Sequence, residues 1–286
     1  MTAELHRKLA MEAVYATDTW KACWPIWEPK ILALTSSLAD PEQVFDLGSQ
    51  LKEVFSVTSS GSRSQSSLSG GGTGWECLVC WYLNLVLSGT NGVAMRQSRK
   101  VFPRPLRDAT TVSYGTTQTN TEADICVVIY PPGFKFPGPG RGFMGALDKS
   151  VSVSISDIEL GVVQCKTNWN DNAQIPMLWD MVYRASFGAG THVTIGKSGV
   201  TIKNLKKFTY AFVTVPTQTT DFKPSTMAVK RVNNLSGGNY WGRPTKAGVA
   251  LSLSEIFTKN YGSAFTGTVK DSISKAIKSK IGLFSP

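Results

Sequence analysis

The chain has 286 residues, 42% of them hydrophobic, with 8 Trp and 13 Phe, which excludes a disordered protein and suffices for one large core or two small ones. A formal charge of +10 points to polyanionic partners, of which a phosphate backbone is the commonest and binds with strong salt dependence. No apolar run reaches the roughly 20 residues of a membrane span, and Met1-Thr-Ala-Glu-Leu-His-Arg-Lys carries no apolar leader core behind its charges, so the expectation is a soluble, cytoplasmic protein.

In chain order, residues 3 to 55 place apolar positions at mixed three and four spacing, predicting helices with breaks near Pro25, Pro29 and Pro41. The Ser- and Gly-rich stretch from Ser56 to Gly74 is expected to be a mobile loop suited to phosphate contact, or a plain connection. Trp75 to Leu87 is apolar on nearly every side, interrupted only by Asn84, and predicts a buried helix. Its Cys77-x-x-Cys80 has no second CxxC to complete a zinc site, and five cysteines argue against a closed disulfide framework. Both read as small buried hydrophobes. Only His6 and His192 are available for histidine chemistry, which leaves little material for a histidine metal centre or a Ser-His-Asp arrangement.

The Thr-rich residues 110–118 predict a first strand, and β-branched runs at Asp124–Tyr130 and Leu160–Lys166 predict two more. Between them lie a Gly- and Pro-rich insertion, Pro131 to Gly142, and an alternating stretch at 151–156 that predicts an additional strand. Ala173 to Ala185 reads as a helix, Phe208 to Val215 as a strand, and Val269 to Ile281 as an amphipathic helix bearing Lys270, Lys275, Lys278 and Lys280. That order implies an α/β protein, a mixed central sheet with helices on its faces.

Asp124 opens the first of the two paired runs; Gln164 and Lys166 close the second. If the runs pair antiparallel, the start of one lies beside the end of the other. Gln164 and Lys166 are two apart and share a face. A carboxylate, an amide oxygen and an ammonium then meet at one sheet edge, the groups that metal-assisted phosphodiester hydrolysis uses. Asp157 and Glu159 compete with Asp124 for the acid but read better as polar turn residues, and Cys165 faces the other way, into the core.

In these residues the chain resembles the PD-(D/E)XK nuclease superfamily, best known from type II restriction endonucleases. The resemblance covers about residues 75–215. It gives Asp124 the role of the metal-binding acid, Gln164 the middle acid position and Lys166 the lysine, with Glu76 as the extra acid that many members place on the preceding helix as a further ligand or orienter. Ala123 stands where the motif has proline, and Gln164 where it has an acid, a neutral ligand that holds a hard cation less strongly. Some members carry Gln there. What the resemblance implies is a restriction-endonuclease-like fold in a single nuclease domain over 1–286: a helical region at 1–55, a catalytic core at about 75–215, and a DNA-recognition and dimer region at about 216–286. The implied activity is site-specific, Mg²⁺-dependent cleavage of double-stranded DNA by a homodimer or higher homo-oligomer. A repair or recombination nuclease of the same superfamily, or a non-enzymatic nucleic-acid-binding or capsid-like protein, is the alternative. No GxxxxGK[ST] is present for ATP-coupled translocation.

Two groups of polar residues are candidates for DNA contact. Asn168 and Gln174, just beyond the lysine, suit phosphates or ordered waters. Arg231, Asn233, Asn234, Asn239 and Arg243 bring guanine- and adenine-reading side chains into one glycine-containing stretch.

Overall fold

A computed structural model describes residues 3–36, 38–59, 71–98, 100–119, 123–167, 193–215, 223–227, 229–230, 232, 238–240 and 253–280. Three helices open the chain: α1 (Glu4–Tyr15), α2 (Asp18–Thr35) and α3 (Pro41–Ser56). Side-chain caps start two of them. Thr17 accepts from the Trp20 amide at 3.2 Å and Asp40 from the Glu42 amide at 2.9 Å, each satisfying a first-turn N–H that has no helical partner. The expected breaks at Pro25 and Pro29 do not occur: α2 runs through both. Each proline removes one backbone N–H, but both stand on the exposed side of α2, where water can serve the freed carbonyls. The opposite side buries Trp20, Cys23, Trp27 and Ile31, and that packing holds the helix together.

Helix α4 (Gly71–Leu87) is buried throughout from Cys77 onward, as its all-round apolarity there requires. Asn84 is the polar exception and clamps α4 to the next strand, β1 (Gly92–Arg96). Its Nδ2 donates to the Ala94 carbonyl at 2.7 Å, and its Oδ1 accepts from the Ala94 amide at 3.0 Å.

After the short α5 (Arg104–Ala109) come β2 (Val112–Tyr114) and β3 (Thr117–Thr119), then β4 (Ile125–Ile129), α6 (Phe143–Val153), β5 (Glu159–Thr167), β6 (Val193–Ile195), β7 (Lys207–Val215) and β8 (Gly238–Tyr240). Two helices follow, α7 (Glu255–Asn260) and α8 (Val269–Lys278). The main sheet has the order β1-β4-β5-β7-β8. The pairs β1–β4 and β4–β5 are antiparallel; β5–β7 and β7–β8 are parallel.

Two expectations are corrected here. The Thr-rich residues form β2 and β3, which join β6 in a separate three-stranded sheet; the strand beside β4 is the unforeseen β1. The stretch at 151–156 is the end of α6 followed by a 3₁₀ turn at Ile155–Asp157. Phe143, Leu147 and Val151, the buried positions of α6, recur every four residues, a helical period that extends into the alternating segment. The helix expected at Ala173–Ala185 lies outside the described residues.

Alternation along the strands divides the core in two. Ala94, Ile125, Val127, Val163, Cys165 and Val213 face α4. Val93, Met95, Cys126, Val128, Val162 and Phe212 face the other way, into a cluster that includes Leu147 and Val151 of α6. Helix α1 is fastened to the sheet by polar groups. Arg7, fully buried, pairs with Glu4 and donates to the carbonyls of Gly92 and Thr90. His6 Nε2 lies 2.7 Å from the Val101 carbonyl, and its Nδ1 2.8 Å from the Tyr130 hydroxyl.

Candidate active site

The β4–β5 register pairs Ile125 with Val163, so the next step outward sets Asp124 opposite Gln164. The two side chains meet there. Gln164 Nε2 donates to Asp124 Oδ2 at 2.7 Å, and the Cys165 backbone N–H donates to the same oxygen at 2.7 Å. Asp124 thus takes over for a carbonyl where β4 begins, and its charge strengthens both bonds. Gln164 is 1% exposed, and a buried amide requires such a partner. Lys166, two residues on, projects from the same face of β5 as Gln164 and is half-buried. The antiparallel geometry expected from the sequence, which brings Asp124 to the end of the Gln164–Lys166 strand, is the one observed.

Glu76 comes from the first turns of α4 and therefore lies on the α4 side of the sheet. Its Oε2 accepts from Arg96 Nη2 at 2.8 Å and from Arg96 Nε at 3.0 Å. Arg96 alternates with Ala94 onto that same side. The α4 face thus holds a carboxylate–guanidinium pair while Asp124 and Gln164 meet at the same end of the sheet. Cys165 is close enough to sense both carboxylates: burial pushes its thiol well up, and Asp124 and Glu76 push it further. Cys77 and Cys80 are buried free thiols raised mainly by desolvation, as are Cys126 and Cys165. A nucleophilic thiolate is disfavoured at each.

The competing acids stand elsewhere. Asp157 sits in the 3₁₀ turn before β5. Glu159 begins β5, at the end remote from Gln164, bonded to Lys206 at 2.9 Å and to the Ser263 hydroxyl at 2.7 Å. Burial works to raise its carboxyl, but the hydrogen bonds from Lys206 and Ser263 and the charges of Lys206 and Lys207 together outweigh it and hold the group below its ordinary range. Asn168, Gln174, Arg231, Asn233, Asn234 and Arg243 lie outside the described residues; the backbone of Asn239 belongs to β8, but its side chain is likewise not described.

Three residues at this end of the sheet carried no signal in the sequence reading. Arg96 is the partner of Glu76. Gln97 follows it, and its backbone N–H donates to the Asp124 carbonyl at 3.3 Å. Thr214 is in register with Lys166 across β5–β7 and wholly buried, its hydroxyl without a hydrogen-bond partner. Strand order would have found Gln97 and Thr214, the cross-strand neighbours of Asp124 and Lys166; Arg96 needed the packing of α4 on β1, which brings it to Glu76.

Among the described residues no three His, Cys, Asp or Glu side chains gather to hold a metal. Asp124 and Gln164 supply one carboxylate and one amide. That set fits Mg²⁺, which commonly takes one or two carboxylates and completes its shell with water and substrate phosphate.

These features define a mixed α/β protein with helices packed on a mixed sheet and a polar cluster at one sheet end. None of its helices is long and apolar enough to cross a membrane among the described residues. Set against family models, curated proteins and solved structures, the chain matches none.

Proposed function

We propose that the protein is a Mg²⁺-dependent endonuclease of double-stranded DNA, built on a restriction-endonuclease-like fold and acting as a type II, site-specific deoxyribonuclease. The observation that carries this reading is the 2.7 Å bond between Gln164 and Asp124 at the end of a strand that also bears Lys166. It joins two of the three residues on which the resemblance to PD-(D/E)XK nucleases rests, and the third, Lys166, lies two positions further along the same strand.

In this reading Asp124 and Gln164 hold the cation, Asp124 providing the charge and Gln164 a neutral oxygen. Bound Mg²⁺ neutralises charge on the phosphate and eases loss of a proton from water. Lys166 donates to the phosphate oxygens and to the attacking water, where charge develops as the bond to phosphorus forms. Glu76 acts through Arg96, its guanidinium fixed by two hydrogen bonds to Glu76 Oε2. The net charge of +10 draws the DNA in and makes binding fall with salt. The region from 216 to 286 contributes sequence recognition and the two-fold contact that sets one site on each strand.

Plasmid incubated with the purified protein, with and without Mg²⁺, tests the proposal. Discrete fragments that need Mg²⁺ support it. Shifted but intact DNA in both arms supports a non-enzymatic nucleic-acid binder instead. Lys166→Ala is expected to abolish cleavage with DNA affinity largely kept, because its loss weakens the transition state more than the ground-state complex.

A further inference from the structure

Asp124 has an amide on each side. On the β5 side stands Gln164, already bonded to it. On the β1 side the register pairs Arg96 with Ile125, and the 3.3 Å bond from the Gln97 backbone N–H to the Asp124 carbonyl carries that register one step further. Gln97 is therefore directly opposite Asp124. It alternates with Val93 and Met95, and Gln164 with Val162, all three of which face the cluster beneath α6. A row Gln97–Asp124–Gln164 thus crosses three neighbouring strands on one face, with adjacent Cβ atoms about 5 Å apart.

The two amides are not used alike. Gln164 spends its Nε2 on Asp124, whereas Gln97 Nε2 is buried and meets no hydrogen-bond partner. An unmatched buried polar atom is costly, and a half-turn of the terminal amide exchanges its nitrogen for its oxygen. Turned that way, Gln97 would place an oxygen where the unmatched nitrogen now stands, on the residue directly opposite Asp124, and a cation there would give that oxygen its partner. Glu76 does not compete for that space, being held on the α4 face by Arg96.

We propose that Gln97 is the third side chain of the cation site, its Oε1 joining Asp124 and Gln164 in the place that the resemblance gives to Glu76; the inference rests on the nuclease reading above. The set becomes one carboxylate and two amides, all hard oxygens suited to Mg²⁺ or Mn²⁺. It also explains how a site with glutamine at the middle position keeps its ligand number without a second acid.

The test is Mn²⁺ affinity, measured by titration calorimetry and by the electron paramagnetic resonance of free Mn²⁺, on full-length protein without DNA. Gln97→Leu is expected to weaken Mn²⁺ about tenfold or more, Gln97→Glu to tighten it by a similar factor, and Glu76→Gln to leave it within about twofold. Asp124→Asn is the control and should weaken binding severely. If Asp124→Asn weakens Mn²⁺ while Gln97→Leu binds as wild type, or Gln97→Glu fails to tighten it, Gln97 is no ligand and the nuclease reading stands. A larger loss from Glu76→Gln than from Gln97→Leu likewise overturns the assignment. If wild type binds no Mn²⁺, or Asp124→Asn binds it unchanged, the cation site itself is wrong and both proposals fall.

Discussion

His6 makes the stability of this protein depend on pH in a window that few of its other groups share. Its imidazole is buried between α1 and the sheet, where Val101 offers only a carbonyl. Nε2 must therefore carry the proton, and Nδ1 accepts from the Tyr130 hydroxyl at 2.8 Å. Desolvation lowers its pKa from 6.5 to about 4; the bond to Val101 works against the shift and the neighbouring Arg7 charge adds to it. The unfolded chain binds a proton below 6.5, while the folded chain resists one until about 4. Between those values the unfolded state carries more protons, so stability rises with pH and is lost as pH falls. Fully expressed, the separation amounts to about 3 kcal/mol, of which about 2 kcal/mol is already gone at pH 5.

Urea unfolding at pH 7, 6 and 5 reads this directly, compared between wild type and His6→Gln, which keeps a donor and an acceptor but does not titrate. Wild type should lose about 2 kcal/mol across the series and His6→Gln much less. His192 is present in both proteins, so the difference in slope belongs to His6. The depressed carboxyls of Glu159 and Asp271 start from 4.5 and 3.8; their contributions are kept above those values and lost only as pH falls through and below them, beneath the pH 5 end of the series. Equal slopes in the two proteins, or a His6 titration near 6.5 in the folded state, would refute the reasoning.

Much of the fold was legible because burial leaves a periodic trace. The all-round apolarity of Trp75–Leu87, the β-branched runs at β4 and β5 and the strand at β7 are positions where local preference and tertiary environment agree. The failures arise where they diverge. Pro25 and Pro29 signal a break locally, yet α2 survives because Trp20, Trp27 and Ile31 anchor its other side. Val151 belongs to two patterns at once, and the helical one wins because Leu147 and Phe143 extend it. The strand Gly92–Arg96 is short, with one side chain in five charged, and sequence alone gave it no partner. The candidate site divides in the same way. Asp124, Gln164 and Lys166 were readable because they end two recognisable strands. Arg96 and Gln97 were not: Arg96 takes its meaning from α4 packing on β1, which brings it to Glu76, and Gln97 from β1 lying beside β4, which sets it opposite Asp124.

Three further predictions concern packing and the acid. A Cβ on Gly161 would collide with the buried Tyr261 ring and stand 2.8 Å from Thr209 Oγ1, so Gly161→Ala should destabilise by about 3 kcal/mol in urea titration; an unchanged midpoint would mean that Tyr261 moves freely. Thr214→Val keeps the shape and removes a buried hydroxyl that has no partner, so thermal unfolding should show a gain of up to about 1 kcal/mol, and a clear loss would show that the hydroxyl is bonded in solution. The last prediction tests the choice of acid. Asn at position 124 retains an oxygen that can accept from both Gln164 Nε2 and the Cys165 N–H, the two donors that now converge on Asp124 Oδ2. Asp124→Asn should therefore fold, at a cost of about 1–2 kcal/mol as two charge-assisted bonds become neutral ones, yet lose Mg²⁺-dependent cleavage because the charge that holds the cation is gone. Asp124→Ala should be less stable than Asp124→Asn, since it leaves the Cys165 N–H and the Gln164 amide without their acceptor. Asp157→Asn changes a residue of the 3₁₀ turn before β5 and should cut DNA nearly as wild type across a Mg²⁺ titration. If Asp157→Asn is the more damaging change, the cation is held at the other end of the strand, and Asp124 serves only to close the β4–β5 pairing.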